Sequence, residues 1–173
     1  MSAAPDSLPI QEQPTQYWRG LVADLLLQRG WKLATAESCT GGLIAAACTD
    51  LAGSSDWFER GFVTYSNAAK TELLGVDAPL IERDGAVSES VVCAMAQGAL
   101  TRSHAQVAVA VTGIAGPTGG SEAKPVGTVW LGWALPSGVV SELRHFPGDR
   151  AQVRNATVRY ALQRLVELLA SAA

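Results

Sequence analysis

The feature that most restricts the fold is the run Val107-Ala108-Val109-Ala110-Val111, in which every side chain is apolar. A strand with one face in water alternates apolar and polar residues, but this run offers solvent nothing on either face. It therefore predicts a strand in the middle of a sheet that helices cover on both sides. The run ends in segment 112–120, TGIAGPTGG, whose glycines are typical of a loop.

Apolar residues recur at helical spacing on both sides of this run. A first helix is predicted over residues 17–26 with Gly30 ending it, and a second over residues 43–48 with Gly53 closing it. Four more helical segments follow. The first is capped by Ser66 and ends near Gly75, and the second is a short turn over residues 79–83. The third is capped by Ser88, and the last begins with the capping pair Asp149 and Gln152.

Four other segments are predicted as strands: residues 31–34, 61–65, 127–134 and 139–146. The last two are joined only by Pro136-Ser137-Gly138, which favours an antiparallel hairpin. Strands that alternate with helices, with a hairpin at one edge, predict an α/β fold. The expected architecture is a three-layer α/β/α sandwich with a mixed, mostly parallel sheet.

The composition indicates one globular domain. The chain has 173 residues, of which 48% are hydrophobic and 17% charged, a balance that argues against a disordered protein. Residues 15–171 are expected to form this domain. Residues 1–14 are polar, contain three prolines at Pro5, Pro9 and Pro14, and are expected to be a flexible lead-in.

Charge and cysteine spacing exclude several functional classes. The net charge of -3 gives no general attraction to nucleic acid, so no nucleic-acid partner is expected. No apolar run is long enough to cross a bilayer and no secretory signal is present, so we expect no membrane partner and a cytoplasmic location. The three cysteines and two histidines lack the spacing of a metal site.

The segment Thr35-Ala36-Glu37-Ser38-Cys39-Thr40-Gly41-Gly42 lies between a predicted strand and a predicted helix. Free amides at a helix N-terminus bind anions, and glycines let another molecule approach the backbone. Ser38 is therefore a candidate nucleophile with oxyanion donors beside it. In the simpler alternative, Ser38 or Thr40 only caps the helix. Cys39 is a rival nucleophile or, as we favour, a small buried residue.

A serine nucleophile needs a base, and Lys70 is a better candidate than either histidine, because His104 and His145 lie far from this turn in the predicted fold. Lys70 follows Tyr65 and Asn67 on the helix after the second strand. Burial would be needed to lower its pKa and leave the amine neutral. The alternative is an ordinary exposed lysine.

Two further segments are candidates for substrate binding. Thr112, Gly113 and Gly116 belong to the glycine-rich loop, which could admit a phosphate or a sugar close to the backbone. Arg150 and Arg154 lie one helical turn apart and could bind one phosphate together. The alternatives are an ordinary loop and two solvated surface charges.

These residues fall in motifs that resemble the CinA C-terminal domain family, whose members include nicotinamide mononucleotide (NMN) deamidases. The similarity runs from about residue 17 to residue 168. The matching segments are 35–42 (TAESCTGG), 52–55 (AGSS), 62–70 (FVTYSNAAK), 85–88 (GAVS), 113–120 (GIAGPTGG), 124–129 (KPVGTV) and 148–150 (GDR). The larger N-terminal domain of full-length CinA proteins is absent from this sequence, so the resemblance implies a stand-alone deamidase.

The resemblance implies hydrolysis of the carboxamide of NMN to nicotinic acid mononucleotide and ammonia, in pyridine nucleotide recycling. It implies a catalytic Ser38–Lys70 dyad assisted by Tyr65, without metal or cofactor. Tyr65, Asn67, Thr112 and Arg154 fall in the family's site segments. Together with the candidates from the Ser38 turn, the glycine-rich loop and the last helix, the residues expected around a pyridine nucleotide substrate are Cys39, Thr40, Gly41, Gly42, Asn67, Thr112, Gly113, Gly116, Arg150 and Arg154. In the expected scheme, the backbone amides of residues 40–42 bind the oxyanion. A homo-oligomer is also expected from the family.

Two other functions remain open at this point. Related domains occur in proteins named for competence and DNA damage, so the chain could be a non-catalytic nucleotide-binding or regulatory module. That module would bind ligand without turning over any pyridine nucleotide amide. A phosphate-ester hydrolase is a weaker alternative, because no cluster of carboxylates for Mg²⁺ is evident.

Overall fold

The computed structural model describes residues 8–171, which form one five-stranded sheet between two layers of helices. The strands are β1 (Leu33–Glu37), β2 (Phe58–Val63), β3 (Val107–Gly113), β4 (Thr128–Leu135) and β5 (Gly138–His145), in the spatial order β2-β1-β3-β4-β5. β1 is parallel to β2 and β3, whereas β4 is antiparallel to β3 and β5. Four strands thus share a direction that β4 opposes, which confirms a mixed, mostly parallel sheet.

Three α-helices cover each face of the sheet. They are α1 (Thr15–Arg29), α2 (Leu43–Thr49), α3 (Asn67–Leu74), α4 (Ala78–Asp84), α5 (Glu89–Thr101) and α6 (Arg150–Ser171). Residues of α1, α2 and α6 share one apolar cluster with the sheet, and residues of α3, α4 and α5 share the other. This arrangement confirms the three-layer sandwich. Within residues 8–171, no helix is both long and apolar enough to cross a membrane.

The all-apolar run that predicted a central strand forms most of β3, and residues 107–111 are fully buried. Its valines pack in the cluster of α1, α2 and α6, and Ala108 and Ala110 pack in the cluster of α5. Successive side chains of a strand point to opposite faces, so an alternation of valine and alanine serves two helix layers. The small alanine face also lets α5 lie close to the sheet.

The predicted helix ends are confirmed at several positions. Ser66 and Ser88 cap α3 and α5 through their side chains, and Gly30 and Gly75 end α1 and α3 in the left-handed conformation. At the start of α6, the Asp149 carboxylate accepts from the Gln152 amide at 2.9 Å, and the Gln152 side chain accepts from the Asp149 amide at 2.8 Å. This reciprocal pair fixes the direction of α6 where Arg150 begins it.

Three predicted boundaries were wrong. β1 runs over Leu33–Glu37 instead of residues 31–34, because its buried polar residues Thr35 and Glu37 interrupt the apolar pattern. β2 runs over Phe58–Val63 instead of 61–65, because Glu59 and Arg60 resemble loop residues although they pair with each other on an edge strand. α2 ends at Thr49, four residues before the predicted stop at Gly53.

The predicted lead-in lies partly outside the described residues, which begin at Leu8. Ile10–Glu12 form a single 3-10 turn, and the Gln11 carbonyl accepts a hydrogen bond from Arg159 of α6. Gln13 is buried and its side chain donates to the Leu8 carbonyl at 3.0 Å. The part of the lead-in nearest the domain therefore contacts it.

Candidate active site

The carboxyl ends of β1, β2 and β3 meet at one edge of the sheet and enclose a cavity of about 240 Å³. Ser38 follows β1, Tyr65 follows β2, and Thr112 lies at the end of β3. The cavity is lined by Ser38, Cys39, Tyr65, Asn67, Lys70, Ala86, Val87, Thr112, Gly113, Ala115 and Arg150. Eight of the thirteen predicted site residues are thus brought to one cavity.

Ser38 and Lys70 are in direct contact. The Lys70 Nζ lies 3.1 Å from the Ser38 Oγ, within hydrogen-bond distance. Lys70 comes from the inner face of α3 and is only 1% exposed, so the alternative of an ordinary exposed lysine is wrong. Ser38 is 8% exposed and lines the cavity, so a ligand there can reach its hydroxyl.

Two backbone carbonyls complete the surroundings of the Lys70 amine. Nζ donates to the Thr64 oxygen at 3.1 Å and to the Tyr65 oxygen at 3.3 Å. Burial lowers the pKa of Lys70, whereas a negative charge on the nearby Cys39 would raise it. No salt bridge within residues 8–171 includes this amine. A neutral amine fits here, since its two N–H groups match two carbonyls and its lone pair can face the Ser38 hydroxyl.

The carboxylate of Glu37, which no motif marked as functional, occupies the N-terminus of α2. The buried Glu37 carboxylate accepts hydrogen bonds from the amides of Ile44 at 2.8 Å and Ala45 at 2.9 Å. The prediction of an open anion site at this helix end was therefore wrong. The capping alternative was also wrong, because the N-cap is Gly42 and neither Ser38 nor Thr40 caps α2 directly. An acidic residue three positions before Thr40 was the available signal.

Of the backbone amides of residues 40–42, which were the expected oxyanion donors, one already has a hydrogen-bond partner within the turn. The Gly41 amide donates to the Ser38 carbonyl at 3.1 Å, which closes the turn and corrects its predicted role. Within residues 8–171, the amides of Cys39 and Thr40 donate to no backbone or side-chain acceptor. Gly41 and Gly42 have φ angles of 58° and 101°, which favour glycine and let the chain turn sharply from β1 into α2.

The rival nucleophile Cys39 is unsuited to the task. Its side chain is 6% exposed, and burial raises the pKa of the thiol to about 12. The thiolate is the reactive form of cysteine, so this residue is protonated at neutral pH. The structure agrees with the interpretation of Cys39 as a small buried residue that also forms part of the cavity wall.

Arg150 bridges two loops at the mouth of the cavity. Its Nη1 donates to the Gly116 carbonyl at 2.9 Å, and its Nη2 donates to the Tyr65 hydroxyl at 3.2 Å. No salt bridge within residues 8–171 includes Arg150, and no acidic residue lines the cavity. The guanidinium therefore keeps an uncompensated charge, which favours an anionic ligand. Gly116 lies behind Arg150 and does not line the cavity.

Arg154 has a different position from the one predicted. Its Nε donates to the Cys39 carbonyl at 3.1 Å and its Nη2 to the Thr40 carbonyl at 3.0 Å. It therefore braces the turn after Ser38 and does not line the cavity. Of the two arginines predicted to bind a phosphate together, only Arg150 lines the cavity. Thr40, Gly41 and Gly42 likewise shape the turn from outside the cavity.

Another part of the cavity wall comes from Ala86 and Val87, in the family-like segment 85–88 for which no role was predicted. Thr112 donates through its hydroxyl to the Ala86 carbonyl at 2.8 Å, and Lys124 donates to the Val87 carbonyl at 2.7 Å. Thr112 thus supports a wall of the cavity as well as lining it. Backbone acceptors such as these leave no trace in a pattern of side chains.

Comparison with known proteins agrees with this architecture. The model of the CinA C-terminal domain family matches residues 16–169. A nicotinamide-nucleotide amidohydrolase PncC from Enterobacter agglomerans is 59% identical over 139 residues, which cover 80% of this chain and 85% of that protein. The protein of the same name from Escherichia coli (strain K12) is 54% identical over 145 residues, which cover 83% and 88%.

A solved structure supports the same assignment. The crystal structure of a competence-damaged protein (CinA) superfamily protein from Klebsiella pneumoniae 700603 superposes with a TM-score of 0.88 at 41% sequence identity. The superposition covers 92% of this chain and 99% of that one. The family match, the identity to these relatives and the shared fold show that the chain belongs to the CinA C-terminal domain family.

Proposed function

We propose that this chain is a nicotinamide-nucleotide amidohydrolase that converts NMN to nicotinic acid mononucleotide and ammonia, as part of pyridine nucleotide recycling in the cytoplasm. The name and the extent of the most similar relatives support this activity. The observation that carries the mechanism is the 3.1 Å contact between Lys70 Nζ and Ser38 Oγ in a cavity without acidic lining residues.

The first step is acylation of Ser38. Neutral Lys70 accepts the proton of the Ser38 hydroxyl while Oγ attacks the carboxamide carbon of the substrate. The amine can take up this proton because the carbonyls of Thr64 and Tyr65 accept two of the three N–H groups of the ammonium. The third N–H then points to the reacting centre.

The tetrahedral intermediate carries a negative oxygen. The Cys39 amide is the proposed donor to it, because Cys39 lines the cavity and this amide meets no backbone acceptor within residues 8–171. The Gly41 amide is already bonded within the turn. A single oxyanion donor contributes about 3 kcal/mol to such a step. When the intermediate collapses, the C–N bond breaks and Lys70 returns the proton to the leaving nitrogen, which departs as ammonia.

Water then hydrolyses the ester of Ser38. Lys70 is neutral again after ammonia has left, so it accepts a proton from water as water attacks the acyl carbon. The bond from carbon to Oγ breaks, the proton returns to Ser38, and the carboxylic acid product leaves. One lysine thus serves both half-reactions from the same position.

Arg150 is the proposed partner of the substrate phosphate. No salt bridge within residues 8–171 neutralises its charge, and Arg150 is exposed where it lines the cavity. Binding energy from a distant phosphate can hold the carboxamide against Ser38 in the orientation needed for attack. Tyr65, whose hydroxyl accepts from Arg150, is proposed to orient that guanidinium.

The decisive experiment measures ammonia release from NMN, nicotinamide riboside and nicotinamide side by side. The wild-type chain is expected to prefer NMN, and both Ser38→Ala and Lys70→Met are expected to lose at least about 10³-fold in kcat. Ser137→Ala, in the exposed β4–β5 turn, is the matched control and should keep full activity. Arg150→Gln is expected to raise KM for NMN about 10-fold or more, with a smaller effect on the riboside.

Two outcomes would contradict the proposal. A folded wild-type chain that binds NMN by calorimetry but releases no ammonia from any of the three compounds is a binding module and not an amidase. A Ser38→Ala variant with full activity, together with an inactive Cys39→Ala variant, would mean that the nucleophile is the thiol.

A further inference from the structure

The Glu37 side chain makes four hydrogen bonds, although neither the sequence motif nor the cavity gives it a role. Oε1 accepts from the Thr40 hydroxyl at 2.7 Å and from the Ile44 amide at 2.8 Å. Oε2 accepts from the Ala45 amide at 2.9 Å and from the Thr35 hydroxyl at 3.2 Å. All four lone-pair positions of a carboxylate are thus in use.

This carboxylate is buried without a cationic partner. Glu37 is 1% exposed and forms no salt bridge within residues 8–171. A buried carboxylate is costly unless all of its hydrogen bonds are made, so the surroundings of Glu37 tolerate little change in geometry. Because the four donors come from β1, the turn and α2, the carboxylate fixes the relative positions of all three.

Ser38 lies inside the segment that this carboxylate holds. Its amide donates to the Val111 carbonyl of β3 at 3.1 Å, and the Glu37 carbonyl accepts from the Thr64 amide at 2.8 Å. These bonds attach the start of the turn to the sheet. The bonds from Thr40, Ile44 and Ala45 to the Glu37 carboxylate attach its end to the same residue.

Glu37 and Ser38 serve opposite sides of the sheet. Successive residues of a strand alternate in direction, so the carboxylate lies under α2 while the Ser38 hydroxyl faces Lys70 of α3. Glu37 does not line the cavity and so has no direct access to a ligand there. Any influence of Glu37 on catalysis is therefore indirect, and the backbone of residues 38–40 connects it to the reacting groups.

We infer that Glu37 is a positioning residue, which holds the turn so that Ser38 Oγ stays within hydrogen-bond distance of Lys70 Nζ. This inference rests on the proposed function. In Glu37→Gln, an amide nitrogen replaces one acceptor and faces a donor, so the turn must shift. A misplacement of about 1 Å in a catalytic group can cost about 100-fold in rate.

The test compares Glu37→Gln with Glu142→Gln in the full chain. Glu142 is the matched control, because it joins Arg164 of α6 and the Tyr160 hydroxyl at 2.6 Å each, away from the cavity. Both variants are expected to unfold at a lower temperature than the wild type. Only Glu37→Gln is expected to lose at least about 10-fold in kcat for NMN, with KM changed less than about 3-fold.

Hydrogen–deuterium exchange of the segment 38–48 gives a readout that does not depend on activity. Exchange there is expected to accelerate in Glu37→Gln and to stay unchanged in Glu142→Gln. If the wild type proves inactive on NMN, the proposed function fails, while the exchange result still decides whether Glu37 holds the turn. Unchanged exchange, or faster exchange with unaltered kcat in an active enzyme, would overturn the inference.

A second variant covers the case in which Glu37→Gln does not fold. Thr40→Val keeps the shape of the side chain and removes only the hydroxyl that donates to Glu37 at 2.7 Å. It is expected to lower kcat about 3- to 10-fold, with faster exchange in residues 38–42. Wild-type kcat and wild-type exchange in this variant would also overturn the inference.

Discussion

Lys70 shows how a single residue acquires its chemistry from its neighbours. An amine in water is protonated at neutral pH, but burial lowers the pKa of Lys70 and no carboxylate forms a salt bridge with it within residues 8–171. The carbonyls of Thr64 and Tyr65 orient the nitrogen toward Ser38 without adding a negative charge. Position and protonation state are thus set by the same few contacts.

The pH dependence of the reaction follows from this pKa. The proposed base is the neutral amine, so kcat/KM is expected to rise with pH and to level off above the pKa of Lys70, with a midpoint below the ordinary value of 10.5. Lys70→Arg, which stays charged, is expected to be inactive at every pH. A midpoint at or above 10.5, or an active Lys70→Arg enzyme, would contradict the assignment.

The same pKa predicts the sign of a stability change. The unfolded chain binds the Lys70 proton more tightly than the folded chain does, so folding releases a proton between the lowered pKa and 10.5. The free energy of unfolding should therefore rise with pH across this window, relative to that of Lys70→Met. Urea unfolding of both proteins at several pH values measures the difference, and a slope of the opposite sign would show that burial does not lower this pKa.

The cysteines differ in exposure, which predicts their order of labelling. Burial raises the pKa of Cys39 and Cys48 to about 12, while Cys93 is partly exposed. Iodoacetamide at pH 8 is expected to modify Cys93 in the folded protein and to leave the other two intact. Peptide mass spectrometry measures the extent at each site. Early labelling of Cys39 with parallel loss of activity would support the thiol as nucleophile.

At the scale of elements, the first turn of α6 is expected to affect both the stability of the fold and the binding of the substrate. The reciprocal bonds of Asp149 and Gln152 cap the helix immediately before Arg150. Asp149→Ala is expected to lower the free energy of unfolding by about 1 kcal/mol and to raise KM for NMN, because the first turn carries the guanidinium. Denaturant unfolding and steady-state kinetics measure both effects.

Asp24→Ala is the control for this cap. Asp24 is exposed on α1 and forms no salt bridge within residues 8–171, so its replacement should change stability by less than about 0.5 kcal/mol. Equal effects of the two substitutions on KM would argue that the cap does not position Arg150.

At the scale of the whole molecule, the close packing of α5 on α3 helps to set the position of Lys70 in the cavity. A Cβ atom at Gly98 of α5 would lie 2.1 Å from the Leu74 carbonyl oxygen at the end of α3. Gly98→Ala must therefore displace α3, the helix that carries Lys70. We expect a loss of about 1–3 kcal/mol in stability and a lower kcat, measured by urea unfolding and ammonia release.

Gly20→Ala is the matched control, because Gly20 is also helical and a Cβ there meets nothing within 4 Å. Alanine is the better helix former, so this variant should be up to about 1 kcal/mol more stable and fully active. If Gly98→Ala were as stable and as active as Gly20→Ala, the packing of α5 on α3 would not control the position of Lys70.

Local patterns in the sequence predicted most of the fold. The all-apolar run fixed the middle of the sheet, the short link at residues 136–138 fixed the hairpin, and capping residues fixed several helix ends. These features depend on a few neighbouring residues, so they can be recognised without coordinates. Motifs shared with the family also singled out Ser38 and Lys70, whose side chains the structure brings into contact.

Only the tertiary structure decided how the polar groups around the cavity are shared. The Glu37 carboxylate occupies the amides of α2, and Arg154 binds carbonyls of a turn that lies 114 and 115 residues earlier. Lys70 and Ser38 are themselves 32 residues apart. Which donor meets which acceptor over such separations depends on how helices pack on a sheet, and packing places backbone groups that no side-chain pattern records.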